Sequence, residues 1–272
     1  MKRFVLSDPP SPEGMIRLYD KDYHYLVRVR RLKCGSFFNA VLPGGAETRI
    51  RVLSTVDNIL IGECLGCEKR PSLITPIALF QGLPKGYKMD LVVRQAAETG
   101  VSVVAPFESE YSSARLNCEK LKRWERIVRE ARQQSGSATE TVVRPPCGFD
   151  ALLAYWESLK KEYERPLGIL FHQEALEDGP LGTPTDCNEV KGGSPLAKRT
   201  FHGYLCDNPD FVALAVGPEG GFSPGEVSLF LEAGFRPLLM GSTILRTETA
   251  ALYASAVTRI ILMESNTWTP RG

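Results

Sequence analysis

Apolar residues follow two spacings over most of the chain. Short apolar runs occupy about 74–79, 101–106, 167–172 and 211–216, and apolar side chains recur every three or four positions within 89–97, 121–131 and 149–163. Runs of the first kind predict buried strands, and the second spacing predicts amphipathic helices. Strands that alternate with helices form mainly parallel sheets with helices on both faces. The pattern therefore predicts an α/β domain over residues 73–272.

The amino-terminal segment has a different period. Apolar and polar residues alternate over 37–41 and 50–61, and Pro43-Gly44-Gly45 and Asp57-Asn58 supply turns. Alternation with a period of two predicts strands that are buried on one face. Residues 1–72 are therefore expected to form a small β-barrel. Residues 179–209 are dense in Gly, Pro, Ser and charge, which predicts a surface insertion in the second domain.

Two glycine-bearing loops, 217–221 and 241–250, each follow a short apolar run. After the first loop, Ser223, Pro224 and Glu226 supply the cap, first residue and capping box of a helix that ends before Gly234. A short strand over about 238–240, with Pro237 at its beginning, leads to the second loop, and a helix opens at about residue 247. Ligand loops lie at the carboxyl ends of parallel strands, so a binding site is expected here.

The glycines of the first loop would let a ligand approach the backbone closely. Neither Gly-x-Gly-x-x-Gly nor a phosphate-binding Gly-Lys-Ser/Thr ending occurs there, so a nucleoside held through main-chain groups fits better than a phosphate. A structural turn capped by glycines is the alternative explanation.

The residues of these loops closely resemble one family. Gly-Pro-Glu-Gly-Gly-Phe-Ser at 217–223, with Glu226, followed by Gly-Ser-Thr-Ile-Leu-Arg-Thr-Glu-Thr-Ala at 241–250, is similar to the 16S ribosomal RNA uracil-N3 methyltransferases of the SPOUT superfamily. Further similar stretches lie at 24–35, 83–90, 94–101 and 130–136. The resemblance implies a trefoil-knotted α/β domain with S-adenosylmethionine among the knot loops, a PUA-like RNA-binding barrel before it, a homodimer, and 16S ribosomal RNA of the small subunit as substrate.

The resemblance also implies roles for particular residues. The methyl donor would be bound by the two loops and the first turn of the last helix, that is by Gly217, Pro218, Glu219, Gly220, Gly221, Met240, Gly241, Ile244, Leu245, Arg246 and Thr249. Arg246 would stabilise the uracil anion that forms when the N3 proton leaves, and Glu219 is a weaker catalytic candidate. A helix-start ion pair of Arg246 with Glu248 or Glu219 is the structural alternative. No metal is expected.

Basic residues are concentrated in the amino-terminal segment. Residues 1–70 hold 12 Lys plus Arg against 8 Asp plus Glu, whereas the remainder has a net negative charge. Tyr23, His24 and Tyr25 could supply rings for stacking beside these cations. The residues expected to bind RNA are Arg3, Arg28, Arg30, Arg31 and Lys33, with Lys85 and Lys88 from the second domain. A solvated charged surface is the alternative for the amino-terminal cluster.

Four positions depart from the family pattern, in which lysine or arginine is common. They are Gln95, Tyr111, Ser137 and Thr243. Several of these lost cations would face RNA, so two alternative functions remain. One is a paralogue that binds RNA without turnover, and the other is an enzyme that methylates a different nucleotide. A nucleotide-dependent oxidoreductase that uses the glycine loop for a dinucleotide is a further alternative.

Cysteines and hydropathy add little to this picture. The 7 cysteines are scattered, only Cys64 and Cys67 have ligand-like spacing, and there are 3 histidines, so no zinc site is expected. No apolar run reaches the roughly 18 residues of a membrane span, and the start lacks a signal peptide's hydrophobic stretch, so a cytoplasmic location is expected.

Overall fold

A computed structural model describes residues 4–43, 45–68, 74–172, 201–205, 207–240 and 243–266. The chain divides into two compact units: Met1–Ser72 with Arg129–Glu140, and Leu73–Val128 with Thr141–Gly272. Residues 129–140 group with the first unit, although they follow the boundary that the sequence predicts near residue 72.

The first unit contains a five-stranded sheet with the order β1-β3-β4-β5-β2. Every pairing is antiparallel except that of β1 with β3. Asp57 and Asn58 both have positive φ, 55° and 59°, as a two-residue turn between twisted strands requires, so this predicted turn is confirmed. The elements are β1 (Phe4–Val5), β2 (Met15–Leu18), α1 (Asp20–Tyr23), a π-helix (His24–Val29), β3 (Phe37–Val41), β4 (Glu47–Val56) and β5 (Ile59–Glu68).

The second unit contains a parallel sheet with the order β12-β10-β11-β6-β7-β8, in which β9 also pairs with β7. All of its described ladders are parallel, which confirms the predicted parallel α/β architecture. The strands are β6 (Ile77–Gly82), β7 (Val103–Glu108), β8 (Val142–Val143), β9 (Cys147–Gly148), β10 (Pro166–His172), β11 (Phe211–Val216) and β12 (Phe235–Leu239).

Helices cover both faces of this sheet. Ala78 and Phe80 of β6 cluster with buried rings such as Trp156 and Phe230, and α7 packs against β6 and β11. Successive strand side chains point to opposite faces, so burial of every residue of β6 and β11 requires a cover on each side. The helices of the second unit are α2 (Lys88–Glu98), α4 (Phe149–Glu162), α5 (Phe201–Leu205), α6 (Pro224–Glu232) and α7 (Thr247–Asn266). A further helix, α3 (Leu121–Ser135, after a 3₁₀ turn at Cys118–Lys120), begins in the second unit, and its residues from Arg129 onward group with the first.

Three strand predictions need correction. β6 and β7 begin two or three residues later than the apolar runs suggest, at Ile77 and Val103. β12 spans Phe235–Leu239, so Pro237 lies inside the strand and not at its beginning. Among the described strands β12 is at the edge and pairs only with β10, and an edge can accommodate a residue without an amide hydrogen.

The predicted surface insertion, 179–209, lies mostly outside the described residues. In its described part, Phe201–Leu205 form α5, in which Tyr204 and Leu205 are buried and which packs against α7. That end of the segment therefore belongs to the folded core, because its apolar side chains are removed from water.

The strand order brings several carboxyl ends together. Gln81, Val216, Phe171 and Leu238 form one row across β6, β11, β10 and β12. In a parallel sheet, loops that leave neighbouring strands after such a row lie along one edge. The loops after β11 and β12 therefore meet, as the sequence predicts, and the ends of β6 and β10 join them.

Candidate active site

The loop after β11 has a backbone that requires glycine. The Gly221 amide donates to the Pro218 carbonyl at 3.0 Å, and Gly221 has a φ of +71°. A Cβ on Gly217 would lie 3.1 Å from the carbonyl carbon of Gly221. The chain therefore closes a tight turn at the strand end, with its peptide groups close to the surface.

The carbonyl of Gly217 joins this loop to α7 and β6. It accepts a hydrogen bond from Thr247 Oγ1 at 2.6 Å and one from Gln81 Nε2 at 3.4 Å, and Gln81 Nε2 also donates to Thr247 Oγ1 at 2.9 Å. Gln81 is fully buried and Thr247 nearly so. Hydrogen bonds between buried groups fix geometry strongly because an unmade bond there costs free energy.

Glu219 is held from the opposite side by the residues that begin α2. Its carboxylate accepts from Lys88 Nζ at 2.7 Å and from the Lys85 amide at 3.1 Å. Burial raises the pKa of Glu219, but the hydrogen bonds from Lys88 and from backbone amides outweigh it and bring the pKa below its ordinary 4.5. A carboxylate with a lowered pKa is a poor proton acceptor, which fits a positioning role for Glu219.

A cavity of about 270 Å³ opens between the two loops. It is lined by apolar residues, by four residues of the first loop, and by polar and charged residues. Its walls are formed by Lys88, Phe171, His172, Val216, Gly217, Pro218, Glu219, Gly221, Phe222, Leu239, Met240, Thr243, Ile244, Leu245, Arg246, Thr247 and Ala250. Eight of the residues expected at the methyl donor are among them: Gly217, Pro218, Glu219, Gly221, Met240, Ile244, Leu245 and Arg246.

Two of the expected donor residues that the structure describes, Gly220 and Thr249, are not in these walls. Gly220 packs against Tyr111, since a Cβ there would lie 2.8 Å from Tyr111 Cβ. Thr249 is an exposed residue of α7 that lies between the cavity residues Thr247 and Ala250 in sequence. Gly241 lies outside the described residues. Gly220 and Thr249 are therefore not placed in the cavity walls, although each is next in sequence to a residue that lines them.

Several cavity residues escaped the sequence interpretation. Phe171 and His172 end β10, which lies between β11 and β12 in the sheet. Their position at the end of an apolar run indicates the end of a strand, but the sequence does not show that this strand lies between β11 and β12. Thr247 belongs to the recognised second motif, and its hydroxyl at a helix start was the available sign.

Arg246 is an exposed cavity residue. Among the described residues no carboxylate pairs with it. Glu219 and Glu248, the two candidates, instead face Lys88, whose Nζ lies 2.7 Å and 3.9 Å from them. The predicted alternative, an ion pair of Arg246 at the helix start, is therefore wrong, and the guanidinium is available to a ligand.

The residues expected to bind RNA differ in their surroundings. In the first unit, Arg28, Arg31 and Lys33 are exposed and Arg30 is half-buried, while Arg3 lies outside the described residues. Tyr23 is buried in the core of this unit, and Tyr25 stacks on Phe4 at 6.2 Å between ring centroids, so of the three expected stacking rings only that of His24 is exposed. The prediction for Tyr23 is wrong because its ring fills the core.

In the second unit, Lys85 and Lys88 both donate hydrogen bonds to Glu219 in the loop after β11. Lys88 is half-buried and its cation is engaged with Glu219, while Lys85 contributes its backbone amide and keeps an exposed side chain. Lys88 therefore belongs to the cavity and is not a free surface cation.

Two of the four departures from the family pattern lie beside the cavity. Thr243 lines it, and Tyr111 packs against Gly220. Gln95 is half-buried in α2, and its Oε1 is buried with no partner among the described residues. Ser137 lies in the first unit, after α3, where its amide donates to Ser135 Oγ at 3.2 Å.

No group of three or more His, Cys, Asp and Glu side chains among the described residues is arranged to hold a metal ion. Their helices also include none with the length and apolarity that a membrane crossing needs.

A parallel α/β sheet with a cavity at its carboxyl edge defines a ligand-binding enzyme fold. The chain belongs to the family described as RNA methyltransferase domain, whose model matches residues 71–259. This confirms the resemblance carried by the two loops and gives no support to the dinucleotide-dependent alternative.

Individual relatives have names that agree with the matched family. The chain is 29% identical to the ribosomal RNA small subunit methyltransferase E of Synechocystis sp., over 96% of this chain and 78% of the relative. It is 27% identical to ribosomal RNA small subunit methyltransferase E 2 of Borreliella burgdorferi, over 98% of this chain and 100% of that protein. The chain is also similar to the crystal structure of a ribosomal RNA small subunit methyltransferase E from Neisseria gonorrhoeae bound to S-adenosyl methionine. The sequence identity is 25% and the TM-score is 0.68, and the match covers 96% of this chain and 98% of that one.

Proposed function

We propose that this protein methylates ring nitrogen 3 of a uridine in 16S ribosomal RNA of the small ribosomal subunit, with S-adenosylmethionine as methyl donor. The observation that carries the proposal is the cavity between the two loops, in a chain of the RNA methyltransferase domain family. Its wall includes the Arg246 guanidinium, which pairs with no carboxylate of the described residues. The names of the relatives and the donor bound in the Neisseria gonorrhoeae structure supply the substrate and cofactor.

The cavity residues suit an adenosine-type sulfonium compound. Its volume, about 270 Å³, is close to the roughly 300 Å³ at which ligand pockets begin. Phe171, Leu239, Ile244 and Leu245 offer apolar contact for a purine, and the glycines of the 217–221 loop offer peptide groups that no side chain covers. Bound there, the donor supplies an activated methyl group.

The protein's own contribution is positioning and charge. The hydrogen bonds at Gly217 hold the two loops in one arrangement, so that donor and acceptor can be held in line. Arg246, with no carboxylate partner in the described structure, would stabilise the negative charge that develops on the uracil ring as its N3 proton leaves. Glu219 would orient the loop, since its lowered pKa makes it a weak base.

The finer structural expectations stay part of this proposal. A SPOUT-type trefoil knot and a PUA-like barrel are supported by the resemblance of the loops and of residues 24–35. A homodimer is supported by exposed apolar side chains on one face of α7, at Tyr253 and Ile260. A ribosomal substrate would place the protein in the cytoplasm, and RNA contacts are proposed for Arg3, Arg28, Arg30, Arg31 and Lys33.

A second candidate is a paralogue that binds RNA but has lost turnover, or that acts on another nucleotide. The observation that favours it is the presence of Tyr111 and Thr243 beside the cavity, where the family commonly has arginine.

Radiolabelled methyl transfer to undermethylated small subunits separates these candidates. The proposed enzyme incorporates label into RNA, whereas absence of label at every RNA position would contradict it. Calorimetry with S-adenosylhomocysteine and with NAD, run in parallel, should show binding of the former alone.

A further inference from the structure

Tyr111 packs against the 217–221 loop, four of whose residues line the cavity. It follows β7, and its Cβ and carbonyl oxygen would lie 2.8 Å and 3.4 Å from a Cβ added to Gly220. Gly220 stands between Glu219 and Gly221, both of which line the cavity. The tyrosine backbone therefore packs directly on the loop that carries the cavity wall.

The ring of Tyr111 has no structural partner among the described residues. Its residue is 46% exposed. Within the described part of the chain, neither a ring contact nor a hydrogen bond engages its phenol. A large side chain that takes no part in a core or in a polar network is available for binding.

The backbone beneath this ring is fixed. Ser109 Oγ and the Glu110 amide donate to the two carboxylate oxygens of Glu226, each at 2.9 Å, and the Ser109 amide donates to Ser112 Oγ at 3.1 Å. Glu226 is buried and also closes the capping box of α6 with Ser223. An exposed ring on a fixed backbone loses little conformational entropy when a ligand covers it.

A second exposed ring flanks the same loop. Tyr87 is 79% exposed and lies between Lys85 and Lys88, the two residues that hold Glu219. The 217–221 loop is thus bordered by Tyr111 at Gly220 and by the Lys85–Lys88 segment at Glu219.

We propose that Tyr111 is a stacking platform for an unpaired base of the RNA substrate, and that Tyr87 offers a second ring beside the same loop. This inference rests on the proposed function for its substrate class. A base buried in a duplex cannot bring a ring atom into a cavity, so the reacting nucleotide must leave its stack. Unpaired bases bind proteins by stacking on aromatic faces, independently of base identity.

A stacking ring without charge affects RNA binding differently from an arginine. Arginine at this position would add both a stacking plane and a charge for phosphate, whereas tyrosine supplies only the plane. Tyr111→Ala should weaken RNA binding about 10-fold and leave the salt dependence of binding unchanged, because no counterion release is lost. Tyr111→Phe should bind RNA as wild type does. Leu116→Ala, which removes an exposed apolar side chain from the same segment, is the matched control and should have no effect.

Photocrosslinking locates the base directly. We would irradiate the full protein with unmodified small-subunit RNA transcribed with 5-iodouridine, without methyl donor, and identify crosslinked peptides by mass spectrometry. A crosslink at Tyr111 is expected. Crosslinks at other residues alone, or wild-type binding by Tyr111→Ala, would overturn the proposal, as would failure of the wild-type protein to bind RNA. A crosslink at Tyr111 in a protein that never transfers methyl would contradict the proposed function and leave this inference intact.

Discussion

Thr247 Oγ1 donates a 2.6 Å hydrogen bond to the carbonyl oxygen of Gly217, which joins the first turn of α7 to the loop after β11. Gln81 at the end of β6 donates to both partners. Three segments that are distant in sequence are thereby held at one edge of the sheet, where the cavity opens.

The hydroxyl of Thr247 is expected to support donor binding. Thr247→Val keeps the side-chain shape but leaves the Gly217 carbonyl and the Gln81 amide short of a partner. Loss of such a buried hydrogen bond costs about 1–3 kcal/mol, so affinity for S-adenosylhomocysteine should fall about 5-fold or more. Calorimetry measures this, with Thr247→Ser as the control that keeps the hydroxyl. Equal affinities for all three proteins would contradict the role of this bond.

Gly82 is expected to tolerate no side chain. A Cβ there would lie 2.5 Å from Pro218 Cδ and 2.7 Å from Pro218 N, and the second of these is a backbone atom. Gly82→Ala should destabilise the fold by about 1–3 kcal/mol, as overpacking does. Thermal unfolding followed by circular dichroism gives the change in Tm.

Gly225→Ala is the matched control for that experiment. Gly225 lies in the first turn of α6, and the nearest atom to an added Cβ is Ser223 Oγ at 3.9 Å. Alanine favours helices over glycine by up to about 1 kcal/mol, so this variant should have an unchanged or higher Tm. A fall of similar size in both variants would contradict the steric explanation.

The contact between Lys88 and Glu219 predicts how donor binding depends on pH. The pKa of Glu219 is lowered. The stability that its charged carboxylate gives the folded loop is therefore present above about the ordinary 4.5 and is lost as pH falls through the folded-state pKa. The pKa of Lys88 is raised from its ordinary 10.5 by the hydrogen bond to Glu219. The stability that the Lys88 cation gives the folded loop is therefore present below 10.5 and is lost only as pH rises through the folded-state pKa.

Affinity for S-adenosylhomocysteine should therefore be constant from about pH 5.5 to 9 and should fall in acid. Calorimetry at a series of pH values measures this profile. Glu219→Gln should bind more weakly at neutral pH and should lose the acid-dependent fall. A wild-type affinity that changes steeply near neutral pH would contradict this assignment.

Arg246 should matter for turnover more than for donor binding. Its guanidinium has no carboxylate partner in the described part of the chain, so removing it disturbs no ion pair. Arg246→Ala should lower methyl transfer about 100-fold or more, as loss of a group that stabilises transition-state charge does, with a much smaller effect on donor affinity. Equal losses in single-turnover rate and in calorimetric affinity would assign Arg246 to binding alone.

The exposed cations of the first unit should govern the salt dependence of RNA binding. Changing Arg28, Arg30 and Arg31 together to Ala should flatten the slope of log affinity against log salt by about two to three units. Filter binding over a series of salt concentrations measures this slope. Retention of the wild-type slope would make this cluster an ordinary solvated surface.

The sequence predicted local features of the fold well where a side chain acts on its own neighbours. The capping box of Ser223 and Glu226 and the turn at Asp57 and Asn58 are set by local geometry, and both are confirmed. Pro237 misled the prediction of β12, because its tolerance depends on the strand being at the edge.

The candidate site was predictable only in part. The loops could be found because their residues are contiguous. Phe171 and Gln81 reach the site through the order β10-β11-β6, which no local pattern encodes. Lys88 was assigned to RNA because its partner, Glu219, is distant in sequence, and the burial of Tyr23 depends on the packing of the whole first unit.

Mass spectrometry of 16S ribosomal RNA from cells with and without this protein tests the central claim most directly. The account predicts a single methyl group on N3 of one uridine that is present with the protein, absent without it, and restored by purified protein with S-adenosylmethionine. Identical methylation of the RNA from both cells would contradict it.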